Sequence, residues 1–279
     1  MMATVYVNGE YLNEQDAKIS VYDRGFLFGD GVYEVVPVYA GRLHRFSAHI
    51  ARLHRSLAAI AIDGARAEND WRAIAETLLQ KNQLSTASLY LQVTRGGTVG
   101  KRDHAFTTKT TPSVFAFVQS WPTIESAGLC AITVADTRWA RCDIKAITLL
   151  ANALARQQAV DTGADEAIFI NDGNAIEGSS SNLFAVINDV LITAPDGPQI
   201  LSGITRKVIL ELADKHGWRV QLRALRQDEL YDADEVWISS SLREIKPLIR
   251  IDDRVIGNGR AFEKYQQMLA WFRADALLS

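Results

Sequence analysis

The chain has 279 residues, 48% of them hydrophobic and 23% charged, which suits one large or two ordinary packed domains and carries no disorder signature. Its formal net charge of -3 gives no basic field, so nucleic acid and an anionic membrane surface are excluded as partners and small solutes are left. No basic leader with an apolar run and no continuous apolar stretch of about 18 residues occurs, and Cys130 and Cys142 make no disulfide framework, so the expectation is a cytoplasmic protein.

Thr4 to Leu12 alternates around Asn8-Gly9, and Asn-Gly between alternating residues predicts an opening hairpin. Between Tyr22 and Tyr39, Gly25, Gly29 and Gly31 predict a tight turn that releases a β-branched, aromatic strand bearing Tyr33. Ile50, Leu53, Leu57 and Ile60 recur at helical spacing over 46–60, with Ser47 as the expected cap and Arg52 on the helix. His44, His49 and His54 lie five apart, a spacing that does not stack ligands on one helix face, so no metal site is expected. A second helix is predicted over 68–81 through Trp71, Ile74 and Leu78, then a strand over 89–94. The glycine-rich loop from Arg95 to Phe106 ends in Arg102-Asp103-His104. A fixed charge beside a directed donor suits an anion, and an ordinary solvated basic turn is the competing reading.

After a strand over 113–118 the composition changes and Pro122 breaks any ladder. A linker at 121–125 therefore divides a smaller N-terminal α/β domain, 1–120, from a larger C-terminal one, 126–279. A strand over 129–134 leads to Arg138-Trp139-Ala140-Arg141-Cys142-Asp143-Ile144-Lys145 and then to an apolar-periodic segment, 146–160. That segment is expected to be a helix with Leu149, Leu150, Ala153 and Leu154 on one face, ending at Gly163. A lysine pressed between a polar turn and a helix start, near arginines, can be kept as the neutral amine that attacks a carbonyl. A solvated lysine at a helix start is the plain alternative. Downstream, a strand over 166–170 and a turn over 171–174 precede a hairpin of 183–187 with 190–193 across Asn188-Asp189. An amphipathic helix over 205–216 runs through Val208, Ile209, Leu212 and Ala213 and is closed by Gly217; its free N–H groups suit an anion. A last strand over 235–238 runs into Ser239-Ser240-Ser241.

Several motifs then follow in order: D-R-G-x-x-x-G-D-G-V-Y-E over 23–34, H-x-x-R-L over 49–53, Arg102-x-His104, R-C-D-I-K ending at Lys145, and Glu177-Gly178-Ser179-Ser180-Ser181-Asn182. With them the chain resembles the class IV, fold-type IV pyridoxal-phosphate aminotransferases, and among these the D-amino-acid (D-alanine) aminotransferases. The resemblance implies a two-domain α/β fold with pyridoxal 5'-phosphate in the cleft, and a homodimer. It implies Lys145 as the Schiff-base lysine and proton carrier, and Glu177 as the carboxylate on the ring nitrogen. Arg52, Ser180, Ser181, Ile204, Thr205, Ser240 and Ser241 are the implied cofactor contacts, and Tyr33, Arg102 and His104 the implied substrate carboxylate trap. The implied partners are D-amino acids such as D-alanine and 2-oxo acids such as 2-oxoglutarate. A branched-chain L-aminotransferase and an aminodeoxychorismate lyase share the fold and the lysine, and a non-catalytic small-molecule binding protein with a structural Lys145 is the remote alternative. Two departures stand out: a longer loop before Arg102, and Ser241-Leu242-Arg243-Glu244 where small hydroxyl residues are expected after the serines.

Overall fold

A computed structural model describes residues 3–106, 110–121, 128–260 and 262–278. The chain divides into two units: Met1–Pro122 with Ile144–Thr148, and Thr123–Asp143 with Leu149–Leu278. Positions 122–125 of the expected linker lie outside the described residues, while Trp121 packs edge-on against Tyr39 with ring centroids 5.3 Å apart.

Among the described residues the first unit holds strands β1 (Thr4–Val7), β2 (Glu10–Asn13), β3 (Gly31–Tyr39), β4 (Arg42–Leu43), β5 (Ala87–Thr94) and β6 (Ser113–Ser120), with helices α1 (Arg24–Phe28), α2 (Phe46–Ala59) and α3 (Glu68–Asn82). The strands form one antiparallel sheet in the order β2-β1-β6-β5-β3-β4. Asn8 and Gly9 both adopt positive φ in the first turn, the twist that a two-residue hairpin needs and that Asn-Gly allows. Alternate residues of β3 and β5, among them Val32, Val36, Leu89, Leu91 and Val93, are buried with Phe46, Ile50, Leu53 and Leu57 of α2 and Trp71, Ile74 and Leu78 of α3. Ser47 is not the cap of α2. Arg45 holds that position in a left-handed conformation, and Ser47, already helical, donates to Glu68 Oε1 at 2.7 Å.

The largest correction concerns Lys145, which does not start a helix. Ile144–Thr148 lies along β3 as a bent segment with one antiparallel bridge: Ala146 bridges Val32, the Tyr33 N–H donates to the Lys145 carbonyl at 3.0 Å, and the Ile147 N–H donates to the Gly31 carbonyl at 3.1 Å. Strand alternation then buries Ile144 and Ala146 in the first core and turns Lys145 the other way.

The second unit contains β7 (Leu129–Ala135), α4 (Leu150–Asp161), β8 (Glu166–Asn171), β9 (Asn174–Gly178), β10 (Asn182–Ile187), β11 (Val190–Thr193), α5 (Ile204–Lys215), β12 (Arg219–Leu222), β13 (Leu225–Arg226), α6 (Gln227–Tyr231), β14 (Glu235–Ser240), β15 (Glu244–Ile251), β16 (Arg254–Val255) and α7 (Glu263–Leu278). Its mixed sheet runs β12-β11-β10-β14-β15-β7-β8-β9-β13, with β16 on β15; β7 is parallel to both β8 and β15. Phe184, Trp237, Val208, Ile209, Leu212, Met268 and Phe272 fill its main core, so α5 and α7 cover the sheet through their apolar stripes. In α4 the period is right and the phase is not. Leu150 and Leu154 are 74% and 62% exposed, and the helix buries Ala155 and Ala159 against Ala164, Ala167 and Phe169.

Candidate functional site

Within the first unit, the Lys145 side chain projects from the short bent segment over the Tyr33 ring, Nζ lying 4.2 Å from its centroid. The Lys145 N–H donates to Ser56 Oγ at 3.2 Å, so α2 fixes the same backbone from the other side. Tyr33 in turn stacks on Tyr90, whose phenol burial pushes up to about 12. Among the described residues no carboxylate lies within ion-pair distance of the amine, which leaves it available for chemistry on a bound carbonyl.

One residue along from Tyr33, on the buried face of β3, Glu34 is fully enclosed. Arg52 Nε and Nη2 donate to its two oxygens at 2.7 and 2.8 Å, and His49 Nδ1 sits 2.7 Å from Oε2. Burial alone would push the Glu34 carboxyl up; the Arg52 guanidinium and the His49 hydrogen bond outweigh it and hold the carboxyl well below the usual range. Burial likewise lowers the proton affinity of His49, with Glu34 opposing. Arg52 is thus held in a fixed fork by Glu34, a residue that sequence reading passed over. Its signal was present: acids facing arginines on a helix that covers the strand.

The loop after β5 is organised by Arg24. Its guanidinium donates to Asp30 Oδ2 at 2.7 Å and to the carbonyls of Asp103 at 2.6 Å and His104 at 3.0 Å. Arg95 shares Asp30, and against the upward push of burial the two arginines lower the Asp30 proton affinity. Arg102 and His104 bracket the Phe28 ring, the guanidinium carbon 4.8 Å and the imidazole 5.3 Å from its centroid, and both side chains are exposed.

In the second unit, Glu177 near the end of β9 is buried and engaged by three donors. Arg138 Nη1 pairs with Oε1, Asn182 Nδ2 donates to Oε2 at 3.1 Å, and the Leu201 N–H donates to Oε2 at 3.2 Å. Arg138 is itself gripped by Asp136 through Nε and Nη2 at 2.9 and 2.8 Å and lies over the Phe169 ring. Those acids raise its pKa against the lowering effect of burial, so the cation is permanent. Cys142 is no nucleophile, since burial pushes its thiol up to about 11.

Ser179 and Ser181 point their hydroxyls at Glu166, Ser181 at 2.9 Å, and the exposed Ser180 reaches the same carboxylate at 3.5 Å. Helix α5 begins at Ile204 with Gly203 as an N-cap that supplies no side-chain acceptor, so its first N–H groups are uncapped. Thr205 is buried beside them, and the buried Ser239 hydroxyl lacks a partner among the described residues. An uncapped helix start, with buried hydroxyls in the same unit, is a donor set suited to a phosphate. Ser240 ends β14 and Ser241 follows it, both half-buried.

The chain matches the amino-transferase class IV family over residues 31–251. It is 40% identical to the D-alanine aminotransferase of Bacillus licheniformis over 258 residues, covering 91% of this chain and 90% of that one. To the D-alanine aminotransferase of Staphylococcus aureus it is 37% identical over 279 residues, covering 95% and 98% of the two chains. The crystal structure of the Escherichia coli branched-chain amino acid aminotransferase aligns with a TM-score of 0.91 at 26% identity, over 98% of this chain and 94% of that one. With the match running through strands of both sheets and the lysine segment that follows β7, this chain belongs to the class IV aminotransferase family.

Proposed function

We infer that the protein is a D-amino-acid transaminase that uses pyridoxal 5'-phosphate, moving the amino group of a D-amino acid such as D-alanine to a 2-oxo acid such as 2-oxoglutarate. The observation that carries the chemistry is the Lys145 amine, fixed by backbone bonds to β3 and free of any acid partner among the described residues. The D-alanine aminotransferases that match nearly the whole chain support the substrate class.

When bound, pyridoxal phosphate supplies an aldehyde and a ring that accepts electrons from the substrate Cα. The chain supplies the rest. Lys145 is the amine that would hold the cofactor through its aldehyde and the base that would move the proton at the substrate Cα. Glu177 is the carboxylate for the ring nitrogen, paired with Arg138 and oriented by Asn182. Ile204 and Thr205 at the start of α5, with Ser180, Ser240, Ser241 and Arg52, are the phosphate donors. Ser181 belongs to this group through its turn, its hydroxyl being engaged by Glu166. Tyr33, Arg102 and His104 are the residues for the substrate carboxylate, whose placement decides which hand of amino acid presents its Cα proton to Lys145. One oxo acid leaves and a second receives the amino group, so the kinetics are ping-pong.

The decisive assay gives the enzyme D- and L-alanine separately with 2-oxoglutarate and reads the handedness of the glutamate formed. D-alanine yields D-glutamate; turnover confined to L-valine or L-leucine makes it a branched-chain enzyme instead, and pyruvate released from aminodeoxychorismate makes it a lyase.

A test of the site itself uses Gly203→Ala. An added Cβ at Gly203 would overlap Asn182 Oδ1 and so disturb the amide that holds Glu177. Cofactor affinity of the apoprotein should fall about tenfold, the worth of one displaced charge-assisted hydrogen bond. Unchanged affinity by spectrophotometric titration removes Asn182 from the site.

We further propose a cytoplasmic homodimer. Phe26, Val99, Leu150 and Leu154 are large apolar side chains left exposed, and a second copy is the natural cover. The two cysteines are free, as a reducing compartment requires. Among the described residues no helix is long and apolar enough to cross a membrane. Sedimentation at micromolar concentration should give a dimer mass.

A further inference from the structure

The function leaves one departure unabsorbed, Arg243, which follows the serines where a small hydroxyl residue is expected. Its backbone N–H donates to Ser240 Oγ at 3.2 Å, while its guanidinium turns back across the sheet to Glu166, Nη1 to Oε2 at 3.0 Å, and to the Asp165 carbonyl at 3.3 Å. Glu166 is fully buried. Besides Arg243 its carboxylate accepts from the Ser179 N–H at 3.1 Å, the Ser179 hydroxyl, the Ser180 hydroxyl at 3.5 Å, the Ser181 hydroxyl at 2.9 Å and the N–H of its neighbour Ala167 at 3.0 Å. The packing is tight enough that a Cβ on Gly178 would overlap Ser181 Oγ, so the turn at 179–181 closes onto the carboxylate with no room to spare.

One buried carboxylate therefore ties together two separate serine turns, 179–181 and 240–243. Ser180 of the first turn and Ser240 and Ser241 of the second are among the donors assigned above to the cofactor phosphate, and a buried carboxylate bonded to these turns opposes any anion they hold. Arg243 cancels that charge and, through Ser240, fixes the second turn relative to the first. We propose that Arg243 and Glu166 form a positioning pair for the cofactor phosphate, with Arg243 present to neutralise the carboxylate that shapes the serine turns. The proposal rests on the pyridoxal-phosphate reading and names no contact of either residue with substrate.

The test is titration of apoprotein with pyridoxal 5'-phosphate, followed by absorbance and by tryptophan fluorescence, in the wild type, Arg243→Ala, Arg243→Lys, Glu166→Gln and the double variant Arg243→Ala/Glu166→Gln. Arg243→Ala should weaken cofactor binding about tenfold or more, since the buried charge is left unopposed, and Arg243→Lys should stay within about threefold of wild type. The double variant should recover most of the loss, because the charge that opposed the phosphate has gone too. A purely structural role predicts the opposite, a double variant weaker than either single one. Inorganic phosphate, titrated as a competitor, should follow the same order. Thermal unfolding of each apoprotein separates lost folding from lost affinity, and if Arg243→Ala does not fold, Arg243→Gln replaces it with the same expected order. Arg243→Ala or its replacement binding within twofold of wild type overturns the pair, as does a double variant no better than the single one. A wild type that binds no pyridoxal phosphate at all overturns instead the reading on which the pair rests.

Discussion

Lys145→Ala should abolish transamination while leaving the fold in place. The expected loss is at least about 10⁴-fold in turnover, the upper end of what one positioned proton-transfer group contributes, with the loss of the attacking amine added to it. The fold should survive because the Lys145 segment is held by its backbone. The Tyr33 N–H donates to the Lys145 carbonyl and the Ile147 N–H to the Gly31 carbonyl, Ser56 accepts from the Lys145 N–H, and Ile144 and Ala146 fill the core on either side. None of these contacts uses the ammonium. The thermal midpoint should therefore move by only a few degrees, as for a substitution away from packing. Borohydride treatment followed by peptide mass spectrometry gives a second readout: the wild type should carry the reduced cofactor on the peptide containing Lys145, and the variant should carry none. A variant that keeps a tenth of wild-type turnover would sink the assignment.

The second large effect is on stability. Glu34→Ala removes the carboxylate that pairs with the buried Arg52 guanidinium and the His49 ring, and breaking such a pair by removing one partner costs about 3–5 kcal/mol. That is a large share of the total stability of a domain, so the first unit should melt well below the wild type or fail to accumulate. The pH dependence follows from the same geometry. Glu34 is held below its ordinary pKa, so the unfolded chain binds the proton first, and the stabilisation is complete above about pH 4.3 and lost as pH falls toward the folded value. His49 is lowered too, so it adds an earlier loss that begins as pH drops through about 6.5. Denaturant melts from about pH 8 down to about pH 2 should show stability falling in those two stages, and Glu34→Gln, which keeps the shape without the charge, should flatten the lower stage.

What could be read from the sequence was local or periodic. Asn8-Gly9 and Asn188-Asp189 both place positive φ where a two-residue hairpin demands it, and both hairpins are present. The stripes of α2, α3 and α5 announced buried faces that the cores confirm. What could not be read depends on contacts between residues far apart in sequence. The partners of Glu34 lie 15 and 18 residues away, and the Arg243 partner of Glu166 lies 77 away, with no periodicity to connect them. The phase of α4 was lost because an alanine face packs closer than a leucine face, which hydropathy ranks the other way. The strand over 235–238 is not the last: β15 follows it, and its Glu244, Lys246 and Pro247 hid a buried strand, while β12 is largely exposed, β13 has two residues and α7 has a weak apolar stripe.

The strand-like attachment of Ile144–Thr148 also bears on how this protein can be cut and recombined. A contiguous N-terminal module ending at Pro122 would leave the Tyr33 amide and the Gly31 carbonyl without their partners and the hydrophobic space filled by Ile144 and Ala146 open to water. Exchanging modules between members of this family at that point would thus sever the lysine from the surface that holds it, and a viable chimera has to carry the pentapeptide with the N-terminal donor.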